Sequence, residues 1–302
     1  MNTPEFLIFG ATGQQGGAVA HALRRAGREV RAFVRDPHSE KAVALTKVGI
    51  SIAVGDLMDR QSIDRAMVGI RGVFSVQASS PSGLVTDEQE IAQGKAIADS
   101  AVAAGVAHIL YSSGGAAGKG HTGMAHFDTK SEIESYVRSL PINVTITRPA
   151  AFMEMMMLPG MGLSAGTFTY FMHRDQTMQM IALDDLGRIN AHILMNPDIY
   201  ADRQIEVSGQ DISGEQLEVS FSHAAGRPIR YARFPETLLA ENAFLRRLTA
   251  LVDNGIVAGV ADIGALEAEF GPMMKLDKWL SGPGKELFAK ALAAPSTPAR
   301  LR

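Results

Sequence analysis

The sequence predicts an α/β chain: a Rossmann-type, doubly wound parallel sheet with a smaller mixed α/β region toward the C-terminus. Three observations carry this. The run Glu5 to Phe9 passes at once into glycines at 10, 13 and 16, and then into the helix-like Ala18 to Ala26. Apolar strands alternate with helical patterns as far as Thr147, the rhythm of right-handed βαβ crossovers. Beyond Arg148-Pro149 that rhythm stops and methionines accumulate. The expected division is a nucleotide-binding domain over 1–150 and a smaller substrate or partner region over 151–302, partly interleaved with it.

The first turn explains itself chemically. Gly10 permits a tight turn, Gly13 removes a Cβ from the path of a pyrophosphate, and Gly16 lets the helix pack close to the strand. The unpaired N–H groups at the helix start then face the phosphates. Ala11, Thr12, Gln14 and Gln15 complete this candidate phosphate loop. A glycine triplet alone is a weak signal; the strand before it and the helix after it make a merely flexible loop the poorer reading.

The remaining elements follow in order. Glu29 to Val34 reads as the second strand, His38 to Lys47 as helix and Ile50 to Val54 as the third strand. Arg60 to Val68 is helical, Gly72 to Val76 is the fourth strand, and the small polar run Gln77-Ala78-Ser79-Ser80 follows. Thr86 to Ala104 makes a long helix ended by Gly105. Ala107 to Tyr111 is the fifth strand, then comes Ser112-Ser113-Gly114-Gly115 and a glycine-rich loop to Gly123. Ala125 to Leu140 is helix, ended by Pro141, and Ile142 to Thr147 is the sixth strand. The Met-rich run Phe152 to Met157, with Met161, Met172, Met178 and Met180, suits a pocket wall, an interface or ordinary core packing under a long loop. Later helices are expected over Leu183 to Met195, Leu217 to Ala225, Pro235 to Asp253 and Asp262 to Pro272, and a strand over Gln204 to Val207. The tail from Pro295 to Arg302 reads as frayed.

Composition narrows the function. The 302 residues are 46% hydrophobic and 20% charged with a net charge of -3, which gives nucleic-acid binding no electrostatic support. No stretch approaches the roughly 20 apolar residues of a membrane span, and no signal peptide is evident, so a cytoplasmic protein is expected. The absence of cysteine excludes disulfides and thiolate chemistry, and the eight histidines form no metal-binding pair. No metal is expected.

The end of the second strand reads Val34-Arg35-Asp36. Arg35 suits a 2′-phosphate through charge-assisted hydrogen bonds, whereas Asp36 suits a free ribose hydroxyl. The arginine comes first, at the strand end, which favours NADP(H) over NAD(H). Arg35 paired with Asp36 or with solvent is the competing reading, and His38 and Lys41 add positive charge nearby. After the third strand, Asp56 and Leu57 are candidate adenine contacts. Asp56 also reads as a cap for the helix that follows.

Together these residues carry a resemblance. Gly10-Ala11-Thr12-Gly13-Gln14-Gln15-Gly16-Gly17, Val34-Arg35-Asp36-Pro37, Gly55-Asp56 and Asp87-Glu88-Gln89-Glu90 resemble the NmrA-like family, a group of atypical short-chain dehydrogenase/reductases. So do His126-Phe127-Asp128-Thr129-Lys130, Thr147-Arg148-Pro149 and the late Leu276-Asp277-Lys278-Trp279-Leu280. The likeness covers nearly the whole chain and is strongest from Phe6 to Met157. It implies an NADP(H)-binding Rossmann domain with a small interleaved C-terminal domain. It also implies either a regulator responsive to NADP(H) that binds a protein partner, or a reductase of a quinone or similar small carbonyl acceptor. By the same resemblance Gly10 to Gly16 hold the pyrophosphate and Arg35 the 2′-phosphate. Gln77, Ala78 and Ser79, with Phe152, Met153, Glu154 and Met155, line the ribose and nicotinamide side, and Lys130 lies near the nicotinamide ribose. Ala92 departs from regulatory members that carry a lysine there, so one basic contact is missing.

Typical short-chain dehydrogenases place a tyrosine four residues before the lysine, on the same helix face, to exchange a proton with the substrate. Here Lys130 is present and position 126 is histidine. Three readings follow. His126 serves as the acid, since an ordinary imidazole titrates near neutrality; Lys130 alone supports hydride transfer to an undemanding acceptor such as a quinone; or the nucleotide is bound without turnover. The first ranks lowest, because a lone helical histidine is more often structural. Ser112 and Ser113, at the end of the fifth strand, suit either substrate orientation or loop hydrogen bonding, whereas Tyr111 alternates to the other strand face. The missing tyrosine tilts the sequence reading toward a redox-responsive regulator, with an NADPH-dependent oxidoreductase as the alternative.

Overall fold

The computed structural model describes residues 4–295. Residues 296–302, which hold most of the tail read as frayed, lie outside the described residues, as do residues 1–3. The chain separates into two compact units, one of 1–148 with 183–205 and the other of 149–182 with 206–302.

The first unit begins with β1 (Phe6–Ile8), α1 (Gln14–Arg25), β2 (Val30–Val34), α2 (Glu40–Lys47) and β3 (Ser51–Val54). It continues through α3 (Arg60–Met67), β4 (Gly72–Ser75), α4 (Asp87–Ala103), β5 (His108–Ser112), α5 (Ala125–Arg138) and β6 (Asn143–Pro149). The second unit takes over with β7 (Ala151–Phe152), β8 (Thr167–Tyr170) and β9 (Thr177–Ile181). The chain then returns to the first unit for α6 (Leu183–Met195) and α7 (Pro197–Tyr200), and β10 (Gln204–Val207) leads out again. The rest of the second unit is β11 (Gln210–Ser213), α8 (Gly214–Ala225), β12 (Arg230–Arg233), α9 (Glu236–Glu241), α10 (Ala243–Asp253), α11 (Ile263–Phe270), α12 (Leu276–Ser281) and α13 (Lys285–Ala293).

The main sheet runs β10-β6-β5-β4-β1-β2-β3. The pairs β1–β2, β1–β4, β2–β3, β4–β5 and β5–β6 are all parallel. The chain reverses direction across the sheet at β1, giving the doubly wound Rossmann order and placing the switch point at the carboxyl ends of β1 and β4. A buried strand such as β1 reads as a continuous apolar run because helices cover both faces. The core of this unit gathers Leu7, Phe9, Phe33, Val73, Ile97, Ile109, Ile133 and Ile146. On α6, a Cβ at Gly187 would lie 2.6 Å from the Ala18 carbonyl oxygen, so α6 and α1 meet backbone to backbone.

The second unit holds a three-stranded sheet, β11-β9-β7, and a two-stranded parallel sheet of β12 and β8. None of β7, β8, β9, β11 and β12 was expected from the sequence. Each is two to five residues long, too short for a pattern to emerge. Met153, Met156, Met172, Met178 and Met180 are buried in this unit's core with Phe168, Phe221 and Trp279, which favours the packing role for the Met-rich run. The single helix expected over Pro235 to Asp253 is two. Asn242 breaks it, its Oδ1 accepting the Leu245 N–H at 2.9 Å as the cap of α10.

Candidate functional site

The glycine turn is built by close approach. Gly10 has φ +67°, and a Cβ there would meet Val76 Cγ1 at 2.8 Å. Gly16 is more tightly bound still, since its Cβ would stand 2.4 Å from Gly10 O and 2.7 Å from Phe9 O. Gly13 is the N-cap of α1, and its exposed position leaves the helix terminus open. No side chain caps α1 and its first turn contains no acidic residue. Helix N–H groups without partners and a positive dipole end suit an anion there. Ala11 is buried, Thr12 and Gln15 are half-buried, and Gln14 is exposed.

Gln15 reaches across the turn, its Oε1 accepting the Ser112 hydroxyl at 2.6 Å. That bond ties the first turn of α1 to the carboxyl end of β5, and it commits Ser112 to the loop-bonding role. Ser113 differs: its hydroxyl is buried with no partner among the described residues. Gln77, just past β4, gives its Nε2 to Ser75 Oγ at 2.8 Å, while its buried Oε1 also has no partner. Ala78 and Ser79 follow, both half-buried. Buried polar atoms without partners cost stability unless something supplies the missing bond.

Arg35 stands exposed just past β2, with no ion pair or hydrogen bond among the described residues. Asp36 is occupied by its own turn, since Oδ1 accepts the His38 N–H at 2.8 Å. A pairing of Arg35 with Asp36 is therefore not what the structure contains. Asp56 likewise closes a turn, with Oδ1 accepting the Met58 N–H at 2.8 Å. The helix cap expected of Asp56 belongs instead to Asp59, whose carboxylate accepts from Gln61 N–H at the start of α3. Leu57 packs at the margin of the first unit's core.

Lys130 and His126 lie one turn apart on α5. Lys130 Nζ bonds Glu90 Oε1, and the second oxygen of Glu90 accepts Thr129 Oγ1 at 3.0 Å. Glu90 is fully buried and the lysine side chain is 12% exposed. Sequence reading did not single out Glu90 as the lysine's partner. The signal was there: Glu90 heads a stripe of buried residues on α4 that continues through Gln93, Gly94, Ile97, Ala98 and Ala101, an apolar-face spacing that a carboxylate enters only when paired. His126 packs against Phe127, ring centroids 4.1 Å apart. Burial, and then the Lys130 charge, push its imidazole down to about 4. At neutral pH an imidazole so shifted is uncharged and keeps a single N–H, which makes it a far weaker proton donor than the imidazolium.

Tyr111 is fully buried on β5, and its hydroxyl has no partner among the described residues. Burial, followed by the charges of Glu90 and Glu134, pushes this phenol well above its ordinary value, so it stays protonated. Phe152 to Met155 belong to the second unit. Phe152 is half-buried and precedes a 3-10 turn over Met153–Met157. Met153 is fully buried, Glu154 Oε1 accepts Trp279 Nε1–H at 3.2 Å, and Met155 is exposed. Among the described residues there is no group of acidic and histidine side chains able to hold a metal, and no helix long and apolar enough to cross a membrane.

The sequence profile of the NmrA-like family matches residues 2–290. An NmrA-like family domain-containing oxidoreductase of Malbranchea aurantiaca, malD, is 30% identical over 250 residues, 75% of this chain and 74% of that protein. Among solved structures, NmrA, a negative transcriptional regulator in complex with NADP, superposes with a TM-score of 0.76 at 21% identity, covering 94% of this chain and 97% of its own. The NADPH-dependent quinone oxidoreductase QOR2 of Escherichia coli, complexed with NADPH, gives 0.72 at 23% identity, covering 91% and 98%. Both structures share the fold, and both hold a nicotinamide nucleotide. With its profile matched from residue 2 to residue 290, this chain belongs to the NmrA-like family.

Proposed function

We propose that this protein binds NADP(H) at the carboxyl edge of its main sheet and uses NADPH to reduce a conjugated small acceptor of the quinone type. The observation that carries this reading is a nucleotide-suited loop beside a reacting end that has a lysine and no acid: His126, where a tyrosine would stand, is neutral at pH 7. An acceptor that spreads the incoming charge over a conjugated oxyanion needs little proton donation from the protein. When bound, the nicotinamide supplies a hydride. The chain's own residues bind and orient. The Gly10 to Gly16 loop and the open end of α1 receive the pyrophosphate, Arg35 takes the 2′-phosphate, and Lys130 fixes the ribose at the reacting end. The unpartnered oxygens of Gln77 and Ser113 supply hydrogen bonds to groups entering at that edge. The oxidoreductase relative at 30% identity supports turnover.

A second reading, a regulator that responds to NADP(H) and acts through a protein partner, is favoured by the same histidine. NADPH consumption across a panel of quinones and simple carbonyls tests the two. Quinone-dependent turnover that disappears in Lys130→Ala is expected; tight nucleotide binding with no turnover on any acceptor would replace the reductase reading with the regulator.

A further inference from the structure

The charges around Lys130 have a pattern that the proposed reaction does not use. Lys130 stands at the carboxyl edge of β5: a Cβ on Gly114, two residues past that strand, would lie 3.5 Å from Lys130 Cδ. The same edge carries Ser112, which is bonded to Gln15 of the phosphate loop. Lys130 is the positive group there, and Glu90 is its buried partner, with both carboxylate oxygens committed. Asp87, on the first turn of α4, is a second carboxylate close enough to act on His126, and its Oδ1 is buried without a partner among the described residues. Asp128 is turned to its own loop, accepting from Thr122 and Gly123 and pairing with His121. Lys95 and Glu132 balance one another in a more exposed pair. His126 carries no charge at neutral pH. The acidic groups facing this position thus offset the lysine.

The balance matters because the two forms of the nucleotide differ by one charge at the ring. The oxidised nicotinamide is a cation and the reduced one is neutral, so the charge beside the ring enters their relative affinities directly. A lone lysine would repel the oxidised form, and a buried carboxylate bonded to that lysine cancels the repulsion. We propose that the Glu90–Lys130 pair sets this site's preference between NADP+ and NADPH, with Glu90 as the counter-charge that admits the oxidised ring. The inference rests on the NADP(H) reading above and adds the residue pair that tunes it.

The test is direct titration of NADP+ and NADPH binding to the full chain and to Glu90→Gln and Lys130→Met. Glu90→Gln keeps the shape and removes the negative charge, so Kd(NADP+)/Kd(NADPH) is expected to rise at least about tenfold, the effect of one charge roughly 12 Å away at an effective dielectric of about 20. Lys130→Met removes the positive charge, and the same ratio is expected to fall. Because each ratio is taken on one preparation, partial misfolding cancels. Equal changes for both nucleotides in Glu90→Gln, or ratios moving the same way in the two variants, would overturn the inference while leaving the NADP(H) reading intact. Failure of the unaltered protein to bind either nucleotide would overturn both.

Discussion

Arg148 clasps Glu134 through two charge-assisted bonds, Nε to Oε1 at 3.0 Å and Nη2 to Oε2 at 2.6 Å, with the carboxylate only 4% exposed. Gln204 Oε1 accepts a further bond from Nη2 at 2.9 Å, so the pair joins α5, β6 and β10. Removing one partner strands the other charge in the interior. Glu134→Ala is expected to cost about 3 kcal/mol of unfolding free energy in urea, and the double variant Glu134→Ala/Arg148→Ala less than the sum of the two single ones.

His108 gives the protein a defined acid sensitivity. Thr145 Oγ1 donates to the Tyr200 carbonyl at 2.6 Å, so it must accept from His108 Nε2–H at 2.8 Å, and Nδ1 is left as a buried acceptor without a partner among the described residues. Burial pushes this imidazole down to about 4, only partly opposed by Asp198. The folded state therefore holds fewer protons than the unfolded one between about pH 4 and 6.5. Stability is complete above that window and falls as the pH drops through it, by roughly 3 kcal/mol for this group. His108→Gln is expected to flatten the decline of urea midpoint between pH 6.5 and 4.5; a slope as steep as in the unaltered protein would assign the decline to other groups.

Among the described residues Arg35 has no partner to lose, so its removal tests the nucleotide alone. Arg35→Ala is expected to weaken NADPH by about two orders of magnitude, the value of a charge-assisted contact of up to about 3 kcal/mol, and to leave NADH nearly unchanged. Equal losses for both would remove Arg35 from the 2′-phosphate. Unfolding temperature should not move, which separates binding from folding.

Gly16 and Gly13 separate packing from ligand approach. A Cβ at position 16 meets backbone at 2.4 Å, and backbone cannot step aside as a flexible side chain would. Gly16→Ala is expected to lower stability by roughly 1–3 kcal/mol without any ligand present. At Gly13 the nearest atom is Gly10 O at 3.1 Å, so Gly13→Ala should be milder in thermal unfolding and act chiefly on nucleotide affinity.

The main sheet was legible because its signals are local and redundant. The glycine turn, Gly105 after α4 and Pro141 after α5 each punctuate a repeating pattern, and β1 through β6 fall where apolar runs predict them, as does β10, the seventh strand of that sheet. The candidate loop was legible for the same reason. What stayed hidden depends on contacts distant in sequence: the bond between Ser112 and Gln15 spans 97 positions, and Glu90 meets Lys130 across 40. Strands such as β8 and β12 are invisible singly, since each is defined by pairing with the other some sixty residues away. His126 shows the limit of residue type as a guide, since its environment decides whether it is charged.

The return of α6 to the first unit has a consequence for how the protein is made. Gly187 must press its bare backbone on Ala18, so α1 keeps an uncovered flank until residues 183–205 have been synthesised. The first 148 residues emerge with every strand from β1 through β5 and still lack the helix that seals one side of the layer. On the ribosome, the amino-terminal unit is complete only once a stretch that follows part of its neighbour has emerged. A nick between residues 149 and 182 would leave α6 and β10 attached by packing and hydrogen bonds alone, converting a covalent continuity into a bimolecular association.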